Sequence, residues 1–146
     1  MKKSIYSLFV IASLLLIAPE ISAYSQPARL IRANIPFNFV VKDKSLPAGE
    51  YTIERIQIAA SEMLKIQSRD GRLTFIVPVR SSRTAQNQNE ARLVFNQLGG
   101  QYFLSGATGF EAQTSYALLR SRTEDALAKS MKTSNQMTVA VPAHRQ

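Results

Sequence analysis

The chain contains no cysteine, and that absence excludes several kinds of chemistry at once. Thiol catalysis, thiolate metal sites and disulfide exchange all require a cysteine side chain. Lipoprotein processing is disfavoured too, since it needs a cysteine to carry the lipid. Small exported domains often use disulfides to reinforce a thin core, so a domain built from this chain must be stabilised by packing alone.

Histidine is scarce as well, because His144 is the only one in the chain. Serine nucleophiles need a neighbouring base, most often an imidazole, and zinc or copper sites commonly use several imidazoles. His144 falls in the polar C-terminal segment, which we predict to be solvated. We therefore predict no catalytic, cofactor-binding or metal-ligating residue, and no cofactor.

Long apolar runs are limited to the N-terminal segment. Lys2 and Lys3 precede an apolar stretch over Ile5–Ala18, and a small residue, Ala23, stands at a suitable cleavage position. This order is typical of a cleavable signal peptide, which we predict over residues 1–23. At about 1.5 Å per residue the apolar stretch spans roughly 21 Å, short of the about 30 Å core of a bilayer. An uncleaved membrane anchor is therefore the less favoured interpretation.

Removal of residues 1–23 leaves 123 of the 146 residues, enough for one domain with a substantial core. The net charge falls from +8 to +7, since the removed segment holds Lys2, Lys3 and Glu20. We expect an exported protein, periplasmic or extracellular, with no membrane span after cleavage.

Acidic residues are few, and the excess positive charge is spread along the chain. The nearest approach to a basic patch is Arg80, Arg83 and Arg92 around one polar loop. Diffuse positive charge favours weak association with anionic surfaces, or simply solubility. The partner stays unknown: the candidates are an anionic envelope polymer or another envelope protein, and nucleic acid is not expected.

Short apolar alternations dominate the remaining chain. Ile35, Phe37, Phe39 and Val41 recur with period two, which predicts a strand over 34–41 with one buried face. Pro36 lacks an amide hydrogen and indicates a sheet edge or the entry of the strand into the sheet. Further strands are predicted over 50–58, 63–68, 73–79, 91–98, 101–105 and 113–119, the last of which could instead lead into a helix.

Turn signals separate these strands. Asp70-Gly71 and Gly99-Gly100 are typical of hairpins. Residues 80–90 are polar and predict a long loop. The β domain thus covers 24–121, and six or seven short strands with hairpin turns predict a mainly β fold, a small antiparallel β-sandwich or barrel.

The chain after the β domain changes character. Ser121 followed by Glu124 matches a capping box and predicts a short helix over 122–132. Residues 133–146 are polar and lack turn or cap signals, so we predict a disordered tail.

Four motifs carry a resemblance to a known group of proteins. They are Ala33–Phe39 (ANIPFNF), Leu46–Ile53 (LPAGEYTI), Leu93–Phe95 (LVF) and Gln101–Ser105 (QYFLS). In this order they resemble a family of uncharacterised exported proteins common in acidobacteria, and the resemblance covers about residues 30–130. It implies export and a β-rich fold, and it supplies no catalytic residues. The chain departs from the family pattern over 106–119.

Carboxylates are the remaining candidates for chemistry. A glycosidase needs two across a cleft, about 5 Å or 6.5–9.5 Å apart. The candidates are Asp43, Glu50, Glu54, Glu62, Asp70, Glu90 and Glu111. Most fall in turns or at strand ends, where solvated charge is expected, and Glu54 lies mid-strand, where a cross-strand ion pair is expected.

The sequence therefore favours a non-enzymatic exported β domain with a binding or structural role and an unknown ligand. A carboxylate-dependent hydrolase acting on envelope glycans is one alternative. Electrostatic adhesion to anionic polymers is the other, and it predicts binding that weakens steeply with salt.

Overall fold

The structure is a computed structural model that describes residues 30–84, 90–131 and 137–145. The predicted signal peptide lies outside the described residues and stays a prediction. Among the described residues, no helix has the length and apolar character needed to cross a membrane. The described elements are β1 (Leu30–Ile35), β2 (Phe39–Val41), β3 (Lys44–Leu46), β4 (Gly49–Ile58), β5 (Ser61–Ser68), β6 (Thr74–Arg83), β7 (Ala91–Leu98), β8 (Gln101–Thr108), β9 (Thr114–Leu118), α1 (Arg122–Ser130) and β10 (Met137–Arg145).

Eight of these strands close into a barrel. Their order around the ring is β1-β4-β5-β6-β9-β8-β7-β10, and β10 pairs with β1 to complete it. Every neighbouring pair in the ring is antiparallel. β2 and β3 form a hairpin beside the ring, with β2 parallel to β8. The mainly β prediction is confirmed, and of the two predicted architectures the structure is the barrel. The described residues form ten strands, eight of them in the ring, which is more than the six or seven predicted.

The C-terminal segment is the largest correction. The predicted tail over 133–146 is wrong for 137–145, which form β10 between β7 and β1. Val141 and Ala143 of this strand face the core. The apolar pattern of the segment is too short to indicate a strand locally, and β10 forms because two strand edges are available on either side of it.

The predicted strand over 34–41 is interrupted. β1 ends at Ile35 and pairs with β4, whereas β2 begins at Phe39 and pairs with β8. Pro36 lies at the break, where the sheet does not need the amide hydrogen that proline lacks. The predicted alternation still holds, because Ile35, Phe39 and Val41 are buried on both sides of the break.

β6 is longer than predicted and runs into the expected loop. The strand continues to Arg83, so the prediction of a loop from residue 80 is wrong at its start. Pro78 lies inside the strand, not at its end, at the place where β6 changes partner. Pro78 is opposite Met63 of β5, and the next residue, Val79, is opposite Leu118 of β9.

β8 is also longer than its apolar pattern indicates. It passes through Gly106 to Thr108 and pairs there with β9. A Cβ at Gly106 would lie 2.9 Å from the carbonyl oxygen of Tyr116, so glycine allows the close approach of these two strands. The strand predicted over 113–119 is confirmed as β9.

Local signals predicted the turns and the helix correctly. The hairpin after β5 closes with the Ser68 N–H donating to the Leu73 carbonyl at 2.9 Å, and Gly71 has a φ of 71°. The Ser121 hydroxyl accepts from the Glu124 N–H at 3.1 Å and caps α1.

The core fills the inside of the barrel. Its large buried side chains include Tyr51, Tyr116, Phe39 and Phe95, surrounded by aliphatic residues from every strand of the ring. Interior positions of small barrels are commonly filled in this way. The ends of the barrel, not its interior, are therefore where polar side chains can gather.

Candidate functional site

Strand β4 carries a charged residue in its inward-facing series. Tyr51, Ile53 and Arg55 alternate along one side of the strand, as the two-residue period requires. Tyr51 and Ile53 are buried, and the Arg55 side chain is only 22% exposed. A guanidinium at such a position needs partners, since burying an unpaired charge is costly.

Arg55 contacts two carboxylates and one aromatic ring. Its Nη1 lies 3.5 Å from Glu62 Oε1, and its Nη2 lies 2.7 Å from Glu111 Oε1. Its guanidinium carbon lies 5.9 Å from the centre of the Tyr116 ring, in reach of a cation–π interaction. We call Arg55, Glu62, Glu111 and Tyr116 the Arg55 site.

The segment between β8 and β9 positions Glu111 at this site. Gly109 has a φ of 97°, and a Cβ there would lie 2.3 Å from the Cα of Ala91. The backbone therefore turns tightly against the start of β7, as only glycine permits. Phe110 follows, buried, with its ring edge-on to Tyr116 at 5.5 Å. This packing fixes the segment next to the Arg55 site.

Two buried polar atoms of the Arg55 site lack a hydrogen-bond partner within the described chain. They are the Tyr116 hydroxyl and Arg55 Nε. Tyr116 is 1% exposed, so its hydroxyl is also withdrawn from bulk water. Leaving such groups unpaired costs about 1–3 kcal/mol each. Unsatisfied buried groups are rare in folded proteins and call for an explanation.

The environment of Tyr116 keeps its hydroxyl protonated. Burial raises the pKa of Tyr116 to about 12; Arg55 opposes the rise, whereas the charges of Glu111 and Glu62, and a smaller side-chain interaction of the hydroxyl with the Glu111 carboxylate, add to it. A protonated phenol can both donate and accept a hydrogen bond.

A cavity of about 320 Å³ opens beside the Arg55 site. Its lining residues are Glu54, Arg55, Ile56, Gln57 and Glu62. Lys65 Nζ donates to Glu54 Oε2 at 3.3 Å, which confirms the predicted cross-strand ion pair. Among the described residues that line the cavity only Ile56 is apolar, so the cavity is suited to a polar ligand.

The structure brings together three of the seven candidate carboxylates. Glu62 and Glu111 share Arg55, and Glu54 lines the same cavity. The other four lie elsewhere: Glu50 pairs with Arg69, Asp70 with Arg72, Glu90 with Arg92, and Asp43 accepts from Thr123. No group of three or more potential metal ligands occurs in the part of the chain that the structure describes.

Sequence reasoning missed the centre of the site. The one available signal was Arg55 itself, a charge in phase with Tyr51 and Ile53. Tyr116 carried no signal, because its unpaired hydroxyl is visible only in three dimensions. His144 lies in β10, exposed and opposite Arg32, and is not part of the site.

The three arginines that come nearest to a basic patch in the sequence are not clustered in the structure. Arg80 and Arg83 are exposed on β6, three residues apart, so the alternation of the strand directs them to opposite faces. Arg92 lies on β7 and pairs with Glu90. β8 and β9 separate β7 from β6 in the ring.

The opposite end of the barrel has a different character. The Tyr51 hydroxyl donates to the Pro47 carbonyl at 2.8 Å, and the Ala48 N–H donates to Asn38 Oδ1 at 2.9 Å. Phe39 lies edge-on to Tyr51 at 5.1 Å. Burial, and to a lesser extent the charge of Asp70, raises the pKa of Tyr51. We call this the Tyr51 end.

The four sequence motifs meet at the Tyr51 end. Phe37 stacks on Tyr102 at 3.9 Å and lies edge-on to Phe95 at 5.2 Å, which joins the IPFNF, QYFLS and LVF motifs. The LPAGEYTI motif supplies Pro47 and Tyr51. A second cavity of about 470 Å³ lies here, and its charged groups are paired, with Arg69 Nη1 2.8 Å from Glu50 Oε2. The motifs therefore serve packing.

The chain matches no family model, no curated protein and no solved structure. The resemblance to exported acidobacterial proteins stays a prediction, and the function must be argued from the site itself.

Proposed function

We propose that the protein is an exported, non-enzymatic β-barrel domain of the cell envelope that binds a ligand at the Arg55 site. The supporting observation is Arg55 Nε, a buried donor without a hydrogen-bond partner among the described residues, on a side chain that lines a cavity of about 320 Å³. Ligand sites typically combine a concave surface with a few convergent polar groups. A ligand that accepts a hydrogen bond from this donor would remove its desolvation penalty.

A binding role fits the geometry better than hydrolysis does. A glycosidase holds the scissile bond between two carboxyl groups that are free to face it. Here Glu62 and Glu111 both contact Arg55, through separate terminal nitrogens. The guanidinium thus occupies the position between them that a substrate would need.

Adhesion through diffuse positive charge is less well supported. The arginines that the sequence grouped around one loop lie on separate strands or separate faces. The Arg55 site itself contains two carboxylates for one guanidinium, so it does not attract polyanions.

The experiment is a search for turnover alongside a search for binding. The chain from residue 24 onward, labelled with ¹⁵N, is titrated with small polar probes while the signal of the Arg55 Nε–H is followed. We expect saturable shifts confined to the Arg55 site, and no turnover in a broad hydrolase screen. Reproducible turnover that Glu62→Gln or Glu111→Gln abolishes would overturn the proposal.

Export is tested separately. Cell fractionation followed by N-terminal sequencing should find the protein outside the inner membrane and starting at residue 24. Recovery of the intact N-terminus in the cytoplasm would contradict the predicted signal peptide.

A further inference from the structure

We infer that the Arg55 site binds the hydroxyl groups of a neutral saccharide. This inference rests on the proposed binding function and names its ligand class. Three properties of the site lead to it: its local charge, the hydrogen-bonding groups that it leaves open, and the size and polarity of its cavity.

The local charge is opposite in sign to that of the whole chain. Arg55 contributes one positive charge, while Glu62 and Glu111 contribute two negative charges. Glu54 and Lys65 at the cavity wall offset each other. The site thus has a local charge of about −1, although the chain carries +8. Anionic ligands would face two partly buried carboxylates, where repulsion is screened less than at the surface.

The open hydrogen-bonding groups exclude a simple cation as well. Arg55 Nε can only donate, so the ligand must bring an acceptor to it. An alkylammonium group has none. The carboxylates Glu62 and Glu111 have oxygen lone pairs beyond those used by Arg55, and these can accept hydrogen bonds from the ligand. A ligand that uses all of these groups therefore offers acceptors and donors side by side.

A hydroxyl group meets both requirements on a single oxygen. It can accept from Arg55 Nε and donate to a carboxylate. Saccharides carry hydroxyls on adjacent carbons, spaced for such convergent contacts. A peptide amide also has a donor and an acceptor, but on separate atoms that point in opposite directions, so it fits a compact cluster less well.

The cavity agrees with this class of ligand in size and polarity. A volume of about 320 Å³ is at the lower limit of known ligand sites, suitable for one or two sugar rings. Ile56 is the only apolar residue among the described residues of its wall, which disfavours a lipid tail. The side chains of Glu62 and Glu111 are 31% and 33% exposed, so a ligand can reach them.

The test compares four probes by calorimetry and by the Arg55 Nε–H signal. The probes are chitobiose as the neutral disaccharide, a heparin disaccharide as the anion, spermidine as the cation and trialanine as the peptide. We expect saturable binding of chitobiose that changes little between 50 and 500 mM NaCl. Saturable binding of only the anion, the cation or the peptide would overturn the saccharide assignment and leave the binding function intact.

Variants locate the binding. Arg55→Lys removes the unpaired Nε–H donor but keeps a positive charge between Glu62 and Glu111, so it should weaken chitobiose binding, measured by calorimetry, at least 10-fold. Arg69→Lys is the matched control, because Arg69 pairs with Glu50 at the Tyr51 end, and it should leave affinity unchanged. Equal weakening by both variants, or by neither, would overturn the inference. Failure of all four probes to shift the Arg55 Nε–H signal would overturn the proposed function together with it.

Discussion

The two ends of the barrel use the same residue type in opposite ways. At the Tyr51 end a buried tyrosine donates to the Pro47 carbonyl at 2.8 Å. At the Arg55 site the equally buried Tyr116 has no hydrogen-bond partner within the described residues. The first hydroxyl links β4 to the residues just before it, whereas the second makes no such link. Burial alone therefore does not tell whether a polar group contributes to stability; its partners do.

Phe39→Ala should produce the largest loss of stability, since it removes the ring that packs against Tyr51 and Phe95. A buried phenylalanine truncated to alanine costs about 3–5 kcal/mol. Urea unfolding followed by circular dichroism measures the loss. Ile76→Ala is the control, because Ile76 is 47% exposed and should lose less than about 1 kcal/mol. Similar losses in the two variants would contradict a structural role for the Tyr51 end.

Gly109→Ala should cause the second-largest loss of stability, and it should also disturb the Arg55 site. A Cβ at Gly109 would lie 2.3 Å from Ala91 Cα, so the turn that carries Glu111 must shift. Overpacking of this kind costs about 1–3 kcal/mol, and the positive φ adds to it. Gly100→Ala is the matched control, since Gly100 has a φ of 78° but no atom within 4 Å of the added Cβ.

The control variant should lose only about 1 kcal/mol, and it should leave the Arg55 Nε–H signal in place. Gly109→Ala should move that signal. An unchanged signal in Gly109→Ala would show that the turn does not position the site.

Removing each tyrosine hydroxyl gives a smaller and more direct comparison. Tyr51→Phe breaks a hydrogen bond to Pro47 and should lower the free energy of unfolding by about 1 kcal/mol. Tyr116→Phe removes an unpaired hydroxyl, so the free energy of unfolding should stay the same or rise. Chemical denaturation of both variants tests this. A loss of unfolding free energy in Tyr116→Phe as large as in Tyr51→Phe would contradict the difference between the two hydroxyls.

Raising the pH into the alkaline range should give the smallest change in stability among these predictions. The pKa of Tyr116 is raised from 10.0 to about 12 by burial, so the folded state resists losing this proton. Its contribution to stability is present in full below pH 10 and is lost as the pH rises through about 12. The slope of melting temperature against pH over this interval should therefore be shallower in Tyr116→Phe.

Absorbance at 295 nm provides the second measurement, because it follows tyrosinate formation. The late phase should lose the contribution of one tyrosine in Tyr116→Phe, and what remains should belong to Tyr51, whose pKa is also raised. A late phase of unchanged amplitude in this variant would contradict the raised pKa of Tyr116.

The sequence predicted what depends on neighbouring residues and missed what depends on distant ones. The period-two alternation, the Asp70-Gly71 turn and the Ser121 cap are local, and each appears in the structure as expected. β10 was missed because its segment has a weak apolar pattern and forms a strand only between two existing strands.

The Arg55 site shows the same limit. The inward-facing residues that end at Arg55 follow from the alternation along one strand. Glu111, however, contacts Arg55 from the opposite side of the ring, through a turn that depends on Gly109. No sequence pattern reports that a tyrosine hydroxyl is buried without a partner. The site forms only when the strands close into the barrel.

That closure has a consequence for how the chain reaches its folded form. Arg32, near the start of β1, pairs with His144, near the end of β10, so the ring is completed by contacts between the extremes of the described chain. Folding dominated by such distant contacts is slow. Until β10 arrives, β1 and β7 each present an open edge to other chains. Such a chain stays open to pairing with other chains until its last strand has formed.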